Sequence, residues 1–125
     1  MNVLLDTHAL IRTFAGDPTL TDEARAAIVS PENLVFVSAA SVWEVSIKRA
    51  LGKLQVPDDI NEQITGHRFE TLPMNGEHAW LAGNLPQHHS DPFDRMLIAQ
   101  ALIEQLTLVS RDLAFDAYGV ARIQA

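Results

Sequence analysis

Residues 3–10 of the chain read VLLDTHAL, an apolar run that meets an acid and then continues as a second apolar segment. The run at 3–5 is continuously apolar rather than alternating, as expected for a strand buried on both faces of a parallel sheet. The segment over 8–15 predicts a short apolar helix. The stretch therefore predicts a strand that passes directly into a helix, with the carboxylate of Asp6 at the junction.

The same order of elements recurs along the chain and predicts the fold class. Apolar runs that predict further strands lie at 34–37 and 106–109, and the segments at 70–74 and 120–123 are candidates for two more. Patterns that predict further helices lie at 21–28, 41–51, 58–65, 76–83 and 92–105. This alternation predicts the α/β class, as a three-layer α/β/α sandwich with a central, mainly parallel sheet. Because the chain has no linker or internal repeat, we expect one domain over residues 1–125.

The composition excludes several classes of protein. A hydrophobic content of 47% with 20% charged residues is typical of a globular protein and not of a disordered one. No apolar run approaches the ~18 residues that cross a bilayer, and the first ten residues lack the basic segment of a signal peptide. The absence of cysteine excludes disulfides and thiolate zinc sites. We therefore expect a cytoplasmic protein that does not contact membranes.

The charge balance bears on nucleic acids. The net charge is −7, from 16 acidic and 9 basic residues. Such a balance disfavours nucleic-acid binding, because binding to phosphates usually relies on a basic surface. An acidic enzyme can still cut nucleic acid where metal ions offset its carboxylates. The positions of the acidic residues therefore decide whether the protein could cut nucleic acid.

Several acids are expected to meet at one edge of the sheet. Ligands of an open α/β sheet bind beyond the carboxyl ends of its strands. The acids that directly follow a strand, or that open a helix, are Asp6, Glu44, Asp91, Asp94 and Asp112. If the strands at 3–5, 34–37 and 106–109 run parallel, the acids beside their carboxyl ends converge.

Most of these acids also have a purely structural explanation. Asp6 fits a helix N-cap, and so does Asp91, which precedes a proline at the first helical position. Asp94 would be the third helical residue, where a negative charge suits the helix dipole. Asp112 and Asp116 fit the solvated start of a helix. Each acid taken alone is therefore compatible with a structural role.

Glu44 has two structural explanations of its own. Ser41 and Glu44 fit a capping box at the start of the helix over 41–51. Glu44 also lies four residues before Lys48, and such a pair contributes only ~0.2–0.5 kcal/mol. A single chemistry explains the common location of all the acids, because clustered carboxylates bind hard divalent cations such as Mg²⁺. Such ions lower the pKa of water and stabilise a leaving oxygen in phosphoryl chemistry.

Four segments of the chain together resemble a known family. VLLDTHAL, SAASVWEVSIKRALGKL, DPFDRMLIAQA and LTLVSRDLAF resemble, in this order, the motifs of PIN-domain ribonucleases. The likeness is greatest to the toxins of VapBC type II toxin–antitoxin systems, and it covers nearly the whole chain, with 55–75 least diagnostic. It implies a PIN-like fold and an endoribonuclease toxin that hydrolyses RNA through metal-activated water. It also implies a cognate VapB-like antitoxin, a homodimer and an RNA substrate such as tRNA or rRNA.

The resemblance also implies roles for individual residues. The positions that match the family's catalytic acids and ligands of Mg²⁺ or Mn²⁺ are Asp6, Glu44, Asp94 and Asp112. Asp112, in the SRD form of a Thr/Ser-x-Asp element, has the most variable role. A second tier consists of Thr7, Ser110, Asp91 and Asp116, of which Thr7 and Ser110 could orient water or ligands. Asp91 is expected to act mainly as the helix cap, with a contact to an outer-shell water as the alternative.

Basic and apolar residues add candidate contact surfaces. The candidate RNA contacts are Lys48, Arg49 and Arg95. For Lys48 and Arg49 the alternative is favourable placement near a helix C-terminus, and for Arg95 it is an exposed ion pair. Apolar residues recur at helical spacing at Trp43, Ile47, Ala50 and Leu51. Core packing is the default explanation for them, and contact with a second subunit or an antitoxin is the alternative.

Other functions and sites receive less support. A phospho-acceptor signalling domain also has an aspartate at a strand end, but it needs a late lysine, and none follows Lys53. A haloacid-dehalogenase-type phosphatase needs a second aspartate two residues after Asp6. A catalytically silent PIN-fold binding protein remains an alternative, although all four matched acids are present. His88 and His89 are a weak zinc signal, because their spacing suits neither a helix nor a strand.

Overall fold

Five parallel strands form the single sheet of the structure, a computed structural model that describes residues 1–125. The strands are β1 (Asn2–Leu5), β2 (Leu34–Ser38), β3 (Glu70–Leu72), β4 (Thr107–Ser110) and β5 (Arg122–Gln124). They lie in the order β3-β2-β1-β4-β5, and every neighbouring pair is parallel. The predicted α/β class with a mainly parallel sheet is therefore confirmed.

Helices connect the strands, as the alternating pattern predicts. They are α1 (Thr7–Phe14), α2 (Asp22–Val29), α3 (Ala39–Ala50), α4 (Ile60–Gly66), α5 (Gly76–Asn84) and α6 (Pro92–Glu104). A short 3₁₀ helix over Leu113–Tyr118 precedes β5. None of the helices combines the length and the apolar composition that a bilayer-spanning segment needs.

The two faces of the sheet bury two separate cores. Val3 and Leu5 of β1 point to one face, where they join residues of α1, α2 and α4. Leu4 points to the opposite face, where it packs with α5, α6 and Phe115 of the 3₁₀ helix. Burial on both faces explains why the strands read as continuous apolar runs. The helices therefore form an outer layer on each side of the sheet, which confirms the three-layer sandwich.

The strand order places a switch point beside the central strand. After β1 the chain builds outward through β2 and β3, and it then returns to the other side of β1 to form β4 and β5. Connections that leave in opposite directions open a crevice at the carboxyl ends of the strands. Asp6 follows β1 at this point, and its backbone N–H donates to the carbonyl of Val109 at 3.1 Å.

Two of the predicted helix caps are present. Oδ1 of Asp6 accepts from the backbone N–H of Ala9 at 2.7 Å. Oδ1 of Asp91 accepts from the N–H groups of Phe93 and Asp94 at 2.8 and 3.0 Å. Both side chains therefore satisfy N–H groups that a helix start leaves without an intrahelical partner.

The predicted capping box of α3 is wrong. The helix begins at Ala39, directly after β2, and Ser38 is its N-cap, with Oγ accepting from the N–H of Ala40 at 3.0 Å. Because the strand passes into the helix without a loop, Ser41 already lies inside the first turn. Its side chain is buried, and its hydroxyl lies 3.0 Å from that of Thr7.

The expectation of core packing for the apolar stripe of α3 is also wrong. Trp43 and Leu51 are 57% and 63% exposed, and Ile47 and Ala50 are exposed as well. The helix turns a different face inward, on which Val45 is buried. One edge of the stripe is covered, since the ring of Trp43 lies edge-on to that of Phe93 on α6, with centroids 5.3 Å apart.

Candidate active site

Asp6 lies at the carboxyl end of the central strand and is only 6% exposed. Burial raises the pKa of Asp6 above its usual value, because a charged carboxylate loses its hydration. The Ser110 hydroxyl and the N–H of Ala9 act in the opposite direction and offset this only in part. The site therefore contains a buried acid whose ionised form is poorly stabilised by the protein alone.

Glu44 is held by side chains from two helices. It lies on α3, is 4% exposed, and accepts at Oε1 from the Thr7 hydroxyl at 2.6 Å. The hydroxyls of Thr7 and Ser41 lie 3.0 Å apart. Nζ of Lys48 donates to Oε2 at 2.7 Å, which is the i,i+4 pair expected from the sequence, and this bond raises the pKa of Lys48. Thr7 thus orients an acid of the site.

Asp94 lies in the first turn of α6, and the charges of the other acids affect its pKa. Its pKa is raised to about 7, first by burial and then by the negative charge of Asp91, with smaller contributions from Glu44 and Asp6. His89 lowers the pKa of Asp94 and offsets part of the effect. Repulsion of this kind requires that the carboxylates share one pocket.

His89 connects Asp112 to the same pocket. Its Oδ1 caps the 3₁₀ helix by accepting from the N–H of Ala114 at 2.9 Å. Its Oδ2 lies 3.1 Å from Nε2 of His89, and the same Nε2 lies 3.1 Å from Oδ2 of Asp94. One ligand atom from each of these three residues lies within 4.8 Å of the others.

The remaining second-tier residues divide into two groups. Oγ of Ser110 accepts from the N–H of Asp112 at 3.0 Å, so Ser110 supports both Asp112 and Asp6. Asp91 acts as a helix cap beside Asp94. Asp116 instead forms an exposed ion pair with Arg122 at 2.8 Å, which lowers its pKa. The structure therefore gives Asp116 a partner of its own and no contact with the other acids.

Arg95 is not the exposed side chain that the sequence analysis expects. It is only 7% exposed, and its guanidinium donates to backbone carbonyls at 2.9–3.1 Å. The accepting carbonyls belong to Ala82, Leu85, Pro86 and His89. Arg95 is therefore not an RNA contact as the sequence predicts, because its donors are already used inside the protein. Its role is to hold the segment between α5 and α6.

The other two basic candidates are accessible. Arg49 forms an ion pair with Asp58, and both side chains are exposed. Lys48 is half-buried, with its ammonium on Glu44. Neither pairing encloses the cation, so both remain accessible to a ligand.

The position of His89 does not follow from the sequence. The only local signal is the pair His88-His89 beside Asp91, which indicates at most a weak zinc motif. The approach of His89 to Asp112 joins positions 23 apart in the chain, and no local spacing encodes it.

A family comparison agrees with this geometry. The family model described as PIN domain matches residues 3–121. The chain belongs to the PIN domain family. The four segments that resemble PIN-domain motifs therefore belong to a PIN domain, and they include the acids that meet in the pocket.

Individual relatives of this PIN domain are more distant. Ribonuclease VapC16 of Mycobacterium tuberculosis is 35% identical over 63 residues, which are 49% of this chain and 45% of that protein. The match thus spans less than half the length of that curated relative. VapBC2 from Rickettsia felis, bound to a promoter DNA fragment, has a TM-score of 0.73 at 16% identity and covers 98% of each chain. DNA-bound VapBC from Salmonella typhimurium has a TM-score of 0.69 at 20% identity, covering 99% of this chain and 97% of that one. These likenesses show the fold.

The donor set of the pocket fits a hard divalent cation. Asp6, Glu44 and Asp94 supply carboxylate oxygens from three separate elements, which are the ligands that Mg²⁺ and Mn²⁺ favour. Within the protein, Lys48 bonds to Glu44, His89 lies on Asp94, and the N–H of Ala9 donates to Asp6. The raised pKa of Asp94 shows that this compensation is incomplete. A cation would supply the missing positive charge.

Proposed function

We propose that the protein is a metal-dependent endoribonuclease that hydrolyses RNA phosphodiester bonds and acts as the toxin of a VapBC-type toxin–antitoxin pair. The observation that carries the proposal is the pocket in which Asp6 and Glu44 are buried and His89 joins Asp94 to Asp112; the raised pKa of Asp94 agrees with it. A pocket of mutually repelling acids at the switch point of a PIN fold suits a divalent cation and a phosphate. The printed name of VapC16, a ribonuclease, supports the same activity.

We assign the ligands of Mg²⁺ or Mn²⁺ to the four matched acids, Asp6, Glu44, Asp94 and Asp112. A bound ion of this kind lowers the pKa of water and polarises a phosphoryl group. Thr7 orients Glu44 through its 2.6 Å hydrogen bond, and Ser110 supports Asp6 and Asp112. The protein thus contributes ligand geometry and charge, and the reaction needs no nucleophilic side chain.

The RNA backbone is expected to approach along α3. With a net charge of −7, the protein as a whole repels phosphates. Lys48 and Arg49 place two cations on the last turn of α3, and Lys48 bonds to Glu44. We propose that they contact RNA phosphates, and that the substrate is a structured RNA such as tRNA or rRNA.

Incubation with total cellular RNA tests the activity. The wild-type protein with Mn²⁺ or Mg²⁺ should yield discrete new RNA ends that are absent in EDTA. Asp6→Asn should lose the cleavage while remaining folded, because asparagine is as good an N-cap as aspartate. Sequencing of the RNA ends would report both the activity and the target.

The matched control for this experiment is Asp22→Asn. Asp22 is a fully exposed acid on α2, and its only ion pair is a weak one with Arg25 at 3.6 Å. This variant should cut like the wild type. Cleavage that persists in EDTA, or in Asp6→Asn, would contradict the proposed site. A folded protein that neither cuts RNA nor binds metal would favour the silent-fold alternative.

The affinity for metal should depend on pH through Asp94. Its pKa of about 7 means that protons compete with a cation below neutrality. If one proton competes with the ion, Mn²⁺ should bind about tenfold more weakly at pH 6 than at pH 8. Isothermal titration calorimetry at a series of pH values would measure this. Asp91→Asn keeps the helix cap but removes the negative charge that raises this pKa, so its profile should shift to lower pH. A pH-independent affinity would contradict the prediction.

We further propose that the chain forms a homodimer and that a VapB-like antitoxin neutralises it. The exposed apolar surface on α3, with Trp43, Ile47, Ala50 and Leu51, supports an interface with another chain. The VapBC assemblies that share the fold are toxin–antitoxin systems, which supports a partner of the same kind. An antitoxin that covers an acidic pocket is expected to bring basic side chains to it.

A further inference from the structure

His89 lies between two carboxylates that come from different parts of the chain. Its Nε2 is 3.1 Å from Oδ2 of Asp94 and 3.1 Å from Oδ2 of Asp112. No other side chain bonds to both acids. The ring therefore connects the first turn of α6 to the residue that follows β4.

The backbone determines which ring nitrogen of His89 carries the proton. The N–H of Asp91 points at Nδ1 of His89, with 3.3 Å between the two nitrogens. A backbone amide can only donate, so Nδ1 accepts and the neutral ring carries its proton on Nε2. The Nε2–H group then donates to the two carboxylates. A histidine that binds metal through Nε2 would instead turn an Nδ1–H toward an acceptor.

The segment that carries His89 is held firmly in place. The buried Arg95 donates to the carbonyl of His89 itself at 3.1 Å and to three carbonyls before it. The imidazole lies against the ring of Phe115, with centroids 5.8 Å apart. The hydroxyl of Tyr118 donates to the carbonyl of Pro86 at 2.8 Å. The donor is therefore placed by the core and not by the acids it contacts.

We propose that His89 is a positioning residue, whose Nε2–H holds the carboxylate of Asp112 beside Asp94 so that both acids face one cation. The inference rests on the proposed metal-dependent function. It explains how Asp112, which is partly exposed and lies on the segment after β4, is kept in the pocket. In this arrangement His89 is a donor to the ligands and is not itself a ligand.

Metal affinity of variants separates these two roles. Calorimetric titration with Mn²⁺ and with Mg²⁺ should show that His89→Ala binds both ions about tenfold more weakly, the loss typical of a partner that orients ligands. His89→Gln should restore most of the affinity, because its amide N–H₂ reaches the position of Nε2. His88→Ala, at the exposed neighbouring position, should bind as the wild type does.

Two results would overturn the positioning role. A nitrogen ligand favours Mn²⁺ over Mg²⁺, so a loss confined to Mn²⁺ that glutamine does not restore would make His89 a ligand. If His89 acts through Asp112, then His89→Ala should cause no further loss in an Asp112→Asn background. Additive losses, or unchanged affinity in His89→Ala, would contradict the proposal.

A second measurement does not depend on metal binding. Long-range ¹⁵N–¹H correlation spectra of the metal-free protein report the tautomer of each histidine, and His89→Gln would identify the signal. We expect the neutral ring of His89 to carry its proton on Nε2 and none on Nδ1. A neutral ring protonated on Nδ1 would overturn the positioning role, even if the wild type binds metal. Absence of metal binding in the wild type would instead reject the proposed function.

Discussion

Asp94→Asn is expected to reduce metal-dependent RNA cleavage by at least about a hundredfold, because it removes a charged ligand from the proposed ion. The same variant should make the metal-free protein more stable at pH 8. The two effects have one cause, since the ionised carboxylate repels Asp91, Glu44 and Asp6 when no cation is bound. A residue that served only as part of a helix start would not combine a gain in stability with a loss of activity.

The sign of the stability effect follows from the pKa of Asp94. Its value is about 7 in the folded protein and near its ordinary 3.8 in the unfolded chain, so the folded state holds the proton more tightly. The stabilisation is fully present below the unfolded value and is lost as pH rises through about 7. The ionised Asp94 therefore destabilises the metal-free wild type at pH 8, and asparagine removes this destabilisation.

Thermal unfolding in EDTA measures this difference. The melting temperature of Asp94→Asn should exceed that of the wild type by several degrees at pH 8, and the gain should disappear near pH 4. Asp22→Asn should follow the wild type at both values. Saturating Mn²⁺ should raise the melting temperature of the wild type but not of the variant. Equal melting curves for wild type and Asp94→Asn at pH 8 would remove the electrostatic basis of the site.

Arg95→Met should destabilise the fold by about 3 kcal/mol or more, since it leaves buried carbonyls without donors. The carbonyls of Ala82, Leu85, Pro86 and His89 accept from this guanidinium. Methionine keeps much of the apolar stem and removes every donor. Urea unfolding at pH 7 would measure the free energy of unfolding.

Arg49→Met is the matched comparison for Arg95→Met. Arg49 is exposed, and its ion pair is with the exposed Asp58, so its loss should cost no more than about 1 kcal/mol. If both variants lose the same stability, Arg95 does not hold the segment between α5 and α6. Because that segment carries His89, Arg95→Met should also weaken Mn²⁺ binding in whatever fraction remains folded.

Local patterns were sufficient to predict much of the fold. The runs at 3–5, 34–37 and 106–109 are apolar because both faces of these strands are buried. Asp6 and Asp91 each bond within three residues of their own position, so sequence alone identifies them as caps. The acids of the pocket follow strands or open helices, and a parallel sheet brings such positions together.

The errors concern contacts that depend on the tertiary structure. Arg95 is a charged residue next to an acid, which favours exposure, yet it finds its acceptors in a segment up to 13 residues away. His89 meets Asp112 across 23 positions. The periodicity of Trp43 and Leu51 describes a helix face without telling which side of the helix faces the core. The motif predicts Ser41 as a cap because it does not encode where β2 ends.

The short outer strands of the sheet have a consequence for self-association. β3 and β5 contain only three residues each, and the exposed positions at these borders carry polar side chains such as Glu70, Thr71 and Gln124. A border of this kind offers few free backbone groups for a strand of another molecule, which disfavours fibril-like stacking. Assembly with other chains is therefore directed to helical surfaces, and the protein can associate with a partner without extending its sheet.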